Sequence, residues 1–143
     1  MNALELVKSI TKATGFTRGA AVEVISVEPG VVTMRMLRKP ELLQFNGFFH
    51  GGAISGLADH AAGAAATTAL PQGRIAVTAD LHVSFLRPAS GGSITAVAKT
   101  ASVGTTLCVV TVEVTTEAES GSVVCAIATA TLRSVQAPPR SAD

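Results

Sequence analysis

HGGAISGLADHAAGAAATTA fills residues 50–69, and Pro71 follows shortly after. That length supports about five helical turns, and a proline stops a helix because it lacks an N–H and its ring collides with the preceding turn. The spacing therefore predicts a helix over residues 51–69. At about 100° per residue, Ile54, Leu57, Ala58, Ala61, Ala65 and Thr68 share one arc, an apolar face suited to a sheet. The opposite arc holds Gly52, Ser55, Gly56, Asp59, Ala62, Gly63 and Ala66, where a solvated helix would carry Lys, Glu and Gln. Each interior glycine costs about 1 kcal/mol of helix propensity relative to alanine, so Gly56 and Gly63 imply close approach of another backbone. The helix is expected to be covered on both sides, by its own sheet and by a partner subunit. Asp59 is the only carboxylate along it, which makes it a candidate site.

His50, Gly51 and Gly52 stand at the helix start, where unpaired N–H groups and the helix dipole form a ready anion site. Acyl transfer needs such donors, because negative charge develops on the carbonyl oxygen in the transition state. Asp59 lies eight residues beyond Gly51, a rise of about 12 Å, too far for both to serve one thioester carbon. Two such helices running antiparallel across a two-fold axis would bring Gly51 of one beside Asp59 of the other.

Working outward, residues 3–14 have amphipathic helical spacing and close on Gly15, and β-rich runs at 20–27 and 31–36 flank the turn Glu28-Pro29-Gly30. After the central helix, Ile75, Val77, Ala79, Leu81, Val83 and Phe85 alternate with Thr78, Asp80, His82 and Ser84, a long strand halted at Arg87 and Pro88. Further β-rich runs occupy 93–103, 106–116 and 122–134, with turns at Gly104 and Glu119-Ser120-Gly121. Short connections require antiparallel pairing, so the expected fold class is α+β with one curled antiparallel sheet. A single domain over residues 1–135 and a flexible tail over 136–143, with Pro138 and Pro139, are expected.

Only 15% of the 143 residues are charged while 48% are apolar, against about a quarter charged in ordinary soluble domains; oligomerisation would hide the excess. The stretch 61–70 is too short to span a bilayer, and the first helix is not a signal peptide, which points to a cytoplasmic protein without membrane attachment. Net charge of +1 with no Trp or Tyr argues against a nucleic-acid surface. Cys108 and Cys125 lie in apolar β-like runs and read as small buried hydrophobes.

The string Phe49-His50-Gly51-Gly52-Ala53-Ile54, continued by Leu57-Ala58-Asp59, resembles the motif of hotdog-fold acyl-CoA thioesterases, particularly the phenylacetate-degradation type. Val77-Thr78-Ala79-Asp80-Leu81 and Phe85-Leu86-Arg87-Pro88-Ala89 are similar to that family's strand after the helix, so the resemblance spans nearly the whole chain. It implies a sheet wrapped around the central helix, paired subunits with continuous sheets, a homodimer and commonly a homotetramer, and an acyl-CoA substrate with no cofactor and no metal. By that resemblance Asp59 is nucleophile or general base, and Gly51 donates its N–H to the thioester oxygen beside Gly52. Gln44, with Asn46 as rival, stands near the reacting carbonyl. His50 orients the loop, and Thr78 matches a hydroxyl that holds water in some relatives.

Simpler readings compete. Asp59 could be merely an interfacial hydrogen-bonding group, although its helix carries no Arg or Lys to pair with it, and His50 reads equally as a loop anchor. Asp59-His60 invites a metal, but adjacent helical residues point about 100° apart and no other ligand has suitable spacing. Asp80 and His82 on one strand face read as a structural pair. Ser55 fails the nucleophile-elbow pattern. Arg87, Lys99 and Arg133 could meet CoA phosphates or be surface charge. Phe45, Phe48 and Phe49 suit an aromatic or medium apolar acyl group, or loop packing. A hydratase or dehydratase using His50, or a non-catalytic acyl-CoA-binding protein, are the alternative functions.

Overall fold

The computed structural model describes residues 1–139. Asn2 opens α1 (Ala3–Ala13) with a reciprocal cap: its side chain accepts from Glu5 N–H at 2.9 Å and the Glu5 carboxylate accepts from Asn2 N–H at 3.1 Å. Gly15, at φ +74°, turns the chain into a second short helix, α2 (Gly15–Gly19), where the sequence reading placed no element. The Thr17 hydroxyl donates to the Thr11 carbonyl at 2.8 Å and folds α2 back on α1. Residues 20–22 therefore belong to this corner, and the first strand starts three residues later than expected.

Six strands follow: β1 (Glu23–Glu28), β2 (Val31–Leu37), β3 (Arg74–Phe85), β4 (Ser93–Val103), β5 (Leu107–Ala118) and β6 (Gly121–Gln136). All pair antiparallel in the order β1-β2-β4-β5-β6-β3. The long helix α3 (Gly51–Ala69) connects β2 to the far-edge strand β3 and touches all six strands. This is the expected α+β hotdog architecture, with the sheet curled around one central helix. Bulges in β1, β3, β4 and β6 supply the curl, since an extra residue on one strand bends it and increases its twist.

The curl buries more of α3 than one flat face would. Ala53, Ile54, Leu57, Ala58 and Ala61 are buried, and so are Ala62, Ala65 and Ala66. Ala62 and Ala66, expected to face a partner, are instead fully covered by the chain's own sheet. Full burial of Leu57 alone contributes about 1.5–3 kcal/mol. The helix face that stays open is covered partly by the N-terminal helices. A Cβ on Gly56 would lie 2.6 Å from the Phe16 ring of α2, so the close neighbour at Gly56 is this chain and not another subunit. Gly63 has nothing within 4 Å of a built Cβ.

The β3 bulge corrects the simple alternation. It falls between Thr78 and Asp80, so before it Ala76 and Thr78 face α3, and after it Leu81 and Val83 pack on the core. Val77 is left 49% exposed and Phe85 54% exposed along the sheet edge. Asp80 and His82 are exposed and form no ion pair with each other. Cys108 and Cys125 are free and fully buried. At the C-terminal end, β6 runs to Gln136 and Ala137 N–H donates to the Gly73 carbonyl at 2.9 Å; residues 140–143 of the expected tail lie outside the described residues.

His60 fastens α1 to α3. The Thr11 hydroxyl gives its proton to the Val7 carbonyl at 2.7 Å, so at the 2.8 Å contact with His60 Nε2 it accepts, and the imidazole carries its proton on Nε2. Burial pushes the His60 pKa below its ordinary 6.5, against the raising pull of the Asp59 carboxylate. The unfolded chain takes this proton more readily than the folded one, so stability is full above pH 6.5 and falls as pH drops from 6.5 toward the folded value. Thermal melts from neutral to mildly acidic pH should show a steeper decline for the wild type than for His60→Gln, which keeps an N–H donor but does not titrate; parallel declines would contradict this. The Gly56 contact yields a second expectation. Gly56→Ala should stabilise by about 1 kcal/mol in a Phe16→Ala background and by less with Phe16 present, and equal denaturant midpoint shifts in both backgrounds would show that the ring does not restrict this position.

Candidate active site

Helix α3 starts at His50, whose backbone is extended (φ −65°, ψ 141°) and whose Nδ1 accepts the Gly52 N–H at 2.8 Å. Acceptance requires an unprotonated Nδ1. A Cβ at Gly52 would stand 3.0 Å from that nitrogen, which explains the glycine: it lets the imidazole fold over its own helix. The His50 carbonyl accepts from Ala53 and Ile54, and its N–H donates to Leu42 O. Among the described residues the Gly51 N–H therefore remains the donor at this helix start without a partner. His50 thus caps the helix, and Gly52 spends its N–H on that cap.

Gly51 lines a cavity of about 530 Å³ with Gln44, Asn46, Phe48, Phe85 and Arg87. The Phe85 ring lies over Gly51, 3.2 Å from where a Cβ would be. Asn46 Oδ1 accepts from Phe48 N–H at 3.3 Å and shapes the turn, whereas the half-buried Gln44 is held through its backbone, by bonds to Phe48 and Gly47. Arg87 donates through Nη1 to the Val124 carbonyl at 2.8 Å, so it ties β6 to the cavity rim. Of the three phenylalanines, Phe49 is core, Phe48 lines the cavity and Phe45 is exposed.

Asp59 and Thr78 come together elsewhere. The Thr78 hydroxyl donates to Asp59 Oδ1 at 2.7 Å, a charge-assisted bond that orients the carboxylate. Both line a second cavity of about 240 Å³, with walls from α1, α3 and β3. Within one chain the two halves of the predicted site thus occupy different cavities: Gly51, Gln44, Asn46 and Arg87 in one, Asp59 and Thr78 in the other. Among the described residues no group of three His, Cys, Asp or Glu could hold a metal ion, and no helix is long and apolar enough to cross a membrane.

Sequence reasoning treated His60 only as a metal candidate and missed its bond to Thr11. It also missed α1 as a wall of the Asp59 cavity, where Leu6, Val7 and Ile10 contribute. The signal was present in the apolar stripe of α1, but nothing in the sequence named what that stripe covers.

A family model of the Thioesterase superfamily matches residues 46–123. The chain is 27% identical over 105 residues to a 1,4-dihydroxy-2-naphthoyl-CoA hydrolase of Listeria monocytogenes, covering 73% of this chain and 85% of that protein. Among solved structures, a thioesterase family protein from Silicibacter pomeroyi superposes with a TM-score of 0.90 at 26% identity, covering 95% of this chain and 100% of that one. The PaaI protein of the phenylacetic acid degradation operon of E. coli shares the fold, with a TM-score of 0.82 at 22% identity over 93% of each chain. The match begins at the loop before His50 and runs through Gly51, Asp59 and Thr78 into β6, and the chain belongs to the thioesterase superfamily as a hotdog-fold thioester hydrolase.

Proposed function

We propose that the protein hydrolyses acyl-CoA thioesters at sites shared between two subunits, each site using Asp59 and Thr78 of one subunit and the Gly51 N–H of the other. One observation carries this: the unpartnered Gly51 N–H and the oriented Asp59 carboxylate line different cavities of the same chain. Strand β3 lies at the sheet edge with Val77 and Phe85 about half exposed and Leu86 49% exposed. An apolar edge strand is a template for pairing with another chain, and β3 against β3 about a two-fold axis sets the two α3 helices antiparallel. Two such dimers joined through the outer sheet faces make the homotetramer that the resemblance implies.

In the shared site the Asp59 carboxylate removes a proton from water as the water oxygen attacks the thioester carbonyl carbon. The carbonyl oxygen gains the charge and accepts from Gly51 N–H, where the helix dipole favours it. Collapse of the tetrahedral intermediate breaks the C–S bond, and the Asp59 acid returns its proton to the departing CoA thiolate. The Thr78 hydroxyl keeps Oδ1 aimed, and its oxygen retains a lone pair for the water. Gln44 reaches the carbonyl side of the site with Asn46, and Arg87 stands where the CoA moiety enters.

Asp59→Asn should preserve the fold and lower turnover by about 10² to 10⁴, the usual size of an acid–base contribution, measured as thiol release from acyl-CoA; wild-type turnover would remove Asp59 from the mechanism. The shared site makes a sharper expectation. Proline suits the first helical position, and the extended His50 is compatible with a following proline, so Gly51→Pro should delete the donor with only a small shift of Phe85. Mixing inactive Asp59→Asn subunits with inactive Gly51→Pro subunits should restore activity toward half of wild type per mixed dimer, because one site then holds both intact groups. Mixed dimers confirmed by mass and devoid of activity would place both groups within one chain.

A further inference from the structure

The cavity beside Asp59 has a polar end and an apolar body. Asp59 and Thr78 occupy one end, bonded to each other. The body is walled by Leu6 and Ile10 of α1, Gly63 and Ala64 of α3, and Ile75 and Ala76 of β3. The remaining polar groups on its walls are engaged: His60 with Thr11, and the Thr67 hydroxyl oxygen with Ala76 N–H at 3.0 Å. An occupant is therefore met by hydrocarbon once past the carboxylate.

Gly63 lies one turn beyond Asp59, about 6 Å along the axis, and its missing side chain faces open space. A helix-interior glycine with no neighbour in its own chain costs helix propensity for no packing gain, so the space itself is what it provides. Ile10 and Leu6 line the same space from α1, on the ground a partner's helix would need to reach Gly63. Taking a methylene as roughly the 30 Å³ share of a liquid water, the 240 Å³ holds on the order of eight carbons.

Building on the hydrolase reading of Asp59, we propose that this cavity receives the acyl group, that Gly63 and Ile10 set the length it accepts, and that the Thr11–His60 hydrogen bond holds α1 as its outer wall. The substrate class is a medium-length or single-ring apolar acyl thioester. Gly63 and Ile10 are specificity residues, whereas Thr11 and His60 are positioning residues that act through α1.

The test compares wild type, Gly63→Leu, Ile10→Ala and Thr11→Val on acetyl-, octanoyl- and phenylacetyl-CoA. In parallel, affinities are measured for S-(2-oxoalkyl)-CoA thioethers of matching length, which cannot be hydrolysed, and assembly is followed by light scattering. Each excluded methylene in a hydrophobic pocket is worth roughly tenfold or more, so Gly63→Leu should lower kcat/KM for octanoyl- and phenylacetyl-CoA relative to acetyl-CoA by at least that factor. Ile10→Ala should move the preference toward longer chains. Thr11→Val should lower the octanoyl to acetyl ratio through KM and not through kcat, which general destabilisation would not do. An unchanged length profile in Gly63→Leu and Ile10→Ala overturns the proposal while hydrolysis stands. Dissociation of Gly63→Leu to monomers overturns it too, because a partner and not an acyl chain would then cover Gly63. If wild type hydrolyses none of the thioesters but binds the thioethers with a length preference that Gly63→Leu abolishes, the cavity assignment holds and the hydrolase reading of Asp59 falls. Absence of both hydrolysis and binding removes both.

Discussion

The narrowness of α3 governs the rest of the molecule. Its buried positions are alanine apart from Ile54 and Leu57, so the sheet can close around it at short range and reach it from every strand. A helix bearing leucine at those positions would hold the sheet off, flatten it and leave the β1 and β3 edges too far away to touch. Bulges in four strands supply the matching curvature. Closure leaves one seam of the helix outside the sheet, and Asp59 lies on that seam.

A helix so enclosed is a poor place for charge unless each polar group has a defined role. At its start, the His50 ring uses up the Gly52 N–H and leaves that of Gly51, so the positive end of the dipole is concentrated on one donor. Farther along, Thr78 reaches Asp59 only because β3 is bulged at residue 79; without the extra residue, the pairing that places Leu81 and Val83 against the core would turn Thr78 to the outer face. The geometry of the carboxylate thus depends on one extra residue in the strand, Ala79, and the strand's free edge and its hydrogen bond to the helix are parts of one arrangement.

Much of this was legible in the chain. The bounds of α3 follow from His50, Gly51 and Pro71, and the antiparallel sheet follows from short turns between β-rich runs. The motif of His50, Gly51 and Asp59 pointed to the chemistry. What escaped has physical causes. Period-two reading has no means to see a bulge, so the alternation through Ile75, Val77 and Ala79 suggested a regular strand. Glycine in a helix announces a near neighbour without saying whose: at Gly56 the neighbour is Phe16, on the unanticipated helix α2. Ala62 and Ala66 lie opposite the core arc of an isolated helix, yet a curled sheet buries them, because the helical wheel assumes a flat partner.

The open seam shows how one helix stripe comes to serve several ends. Residues 59, 63 and 67 are spaced four apart and therefore lie one above another, with His60 beside them. Asp59 bonds Thr78, and Thr67 accepts from Ala76 N–H, so the same stripe grips β3 at two points. His60 grips α1 through Thr11. Gly63, between them, grips nothing. Two elements are thus held apart from α3 at fixed points above and below a residue with no side chain, and a cavity is the geometric consequence. Filling that position with an ordinary helix former would gain propensity and close the space next to the carboxylate, so the glycine is best understood through what the seam must leave empty.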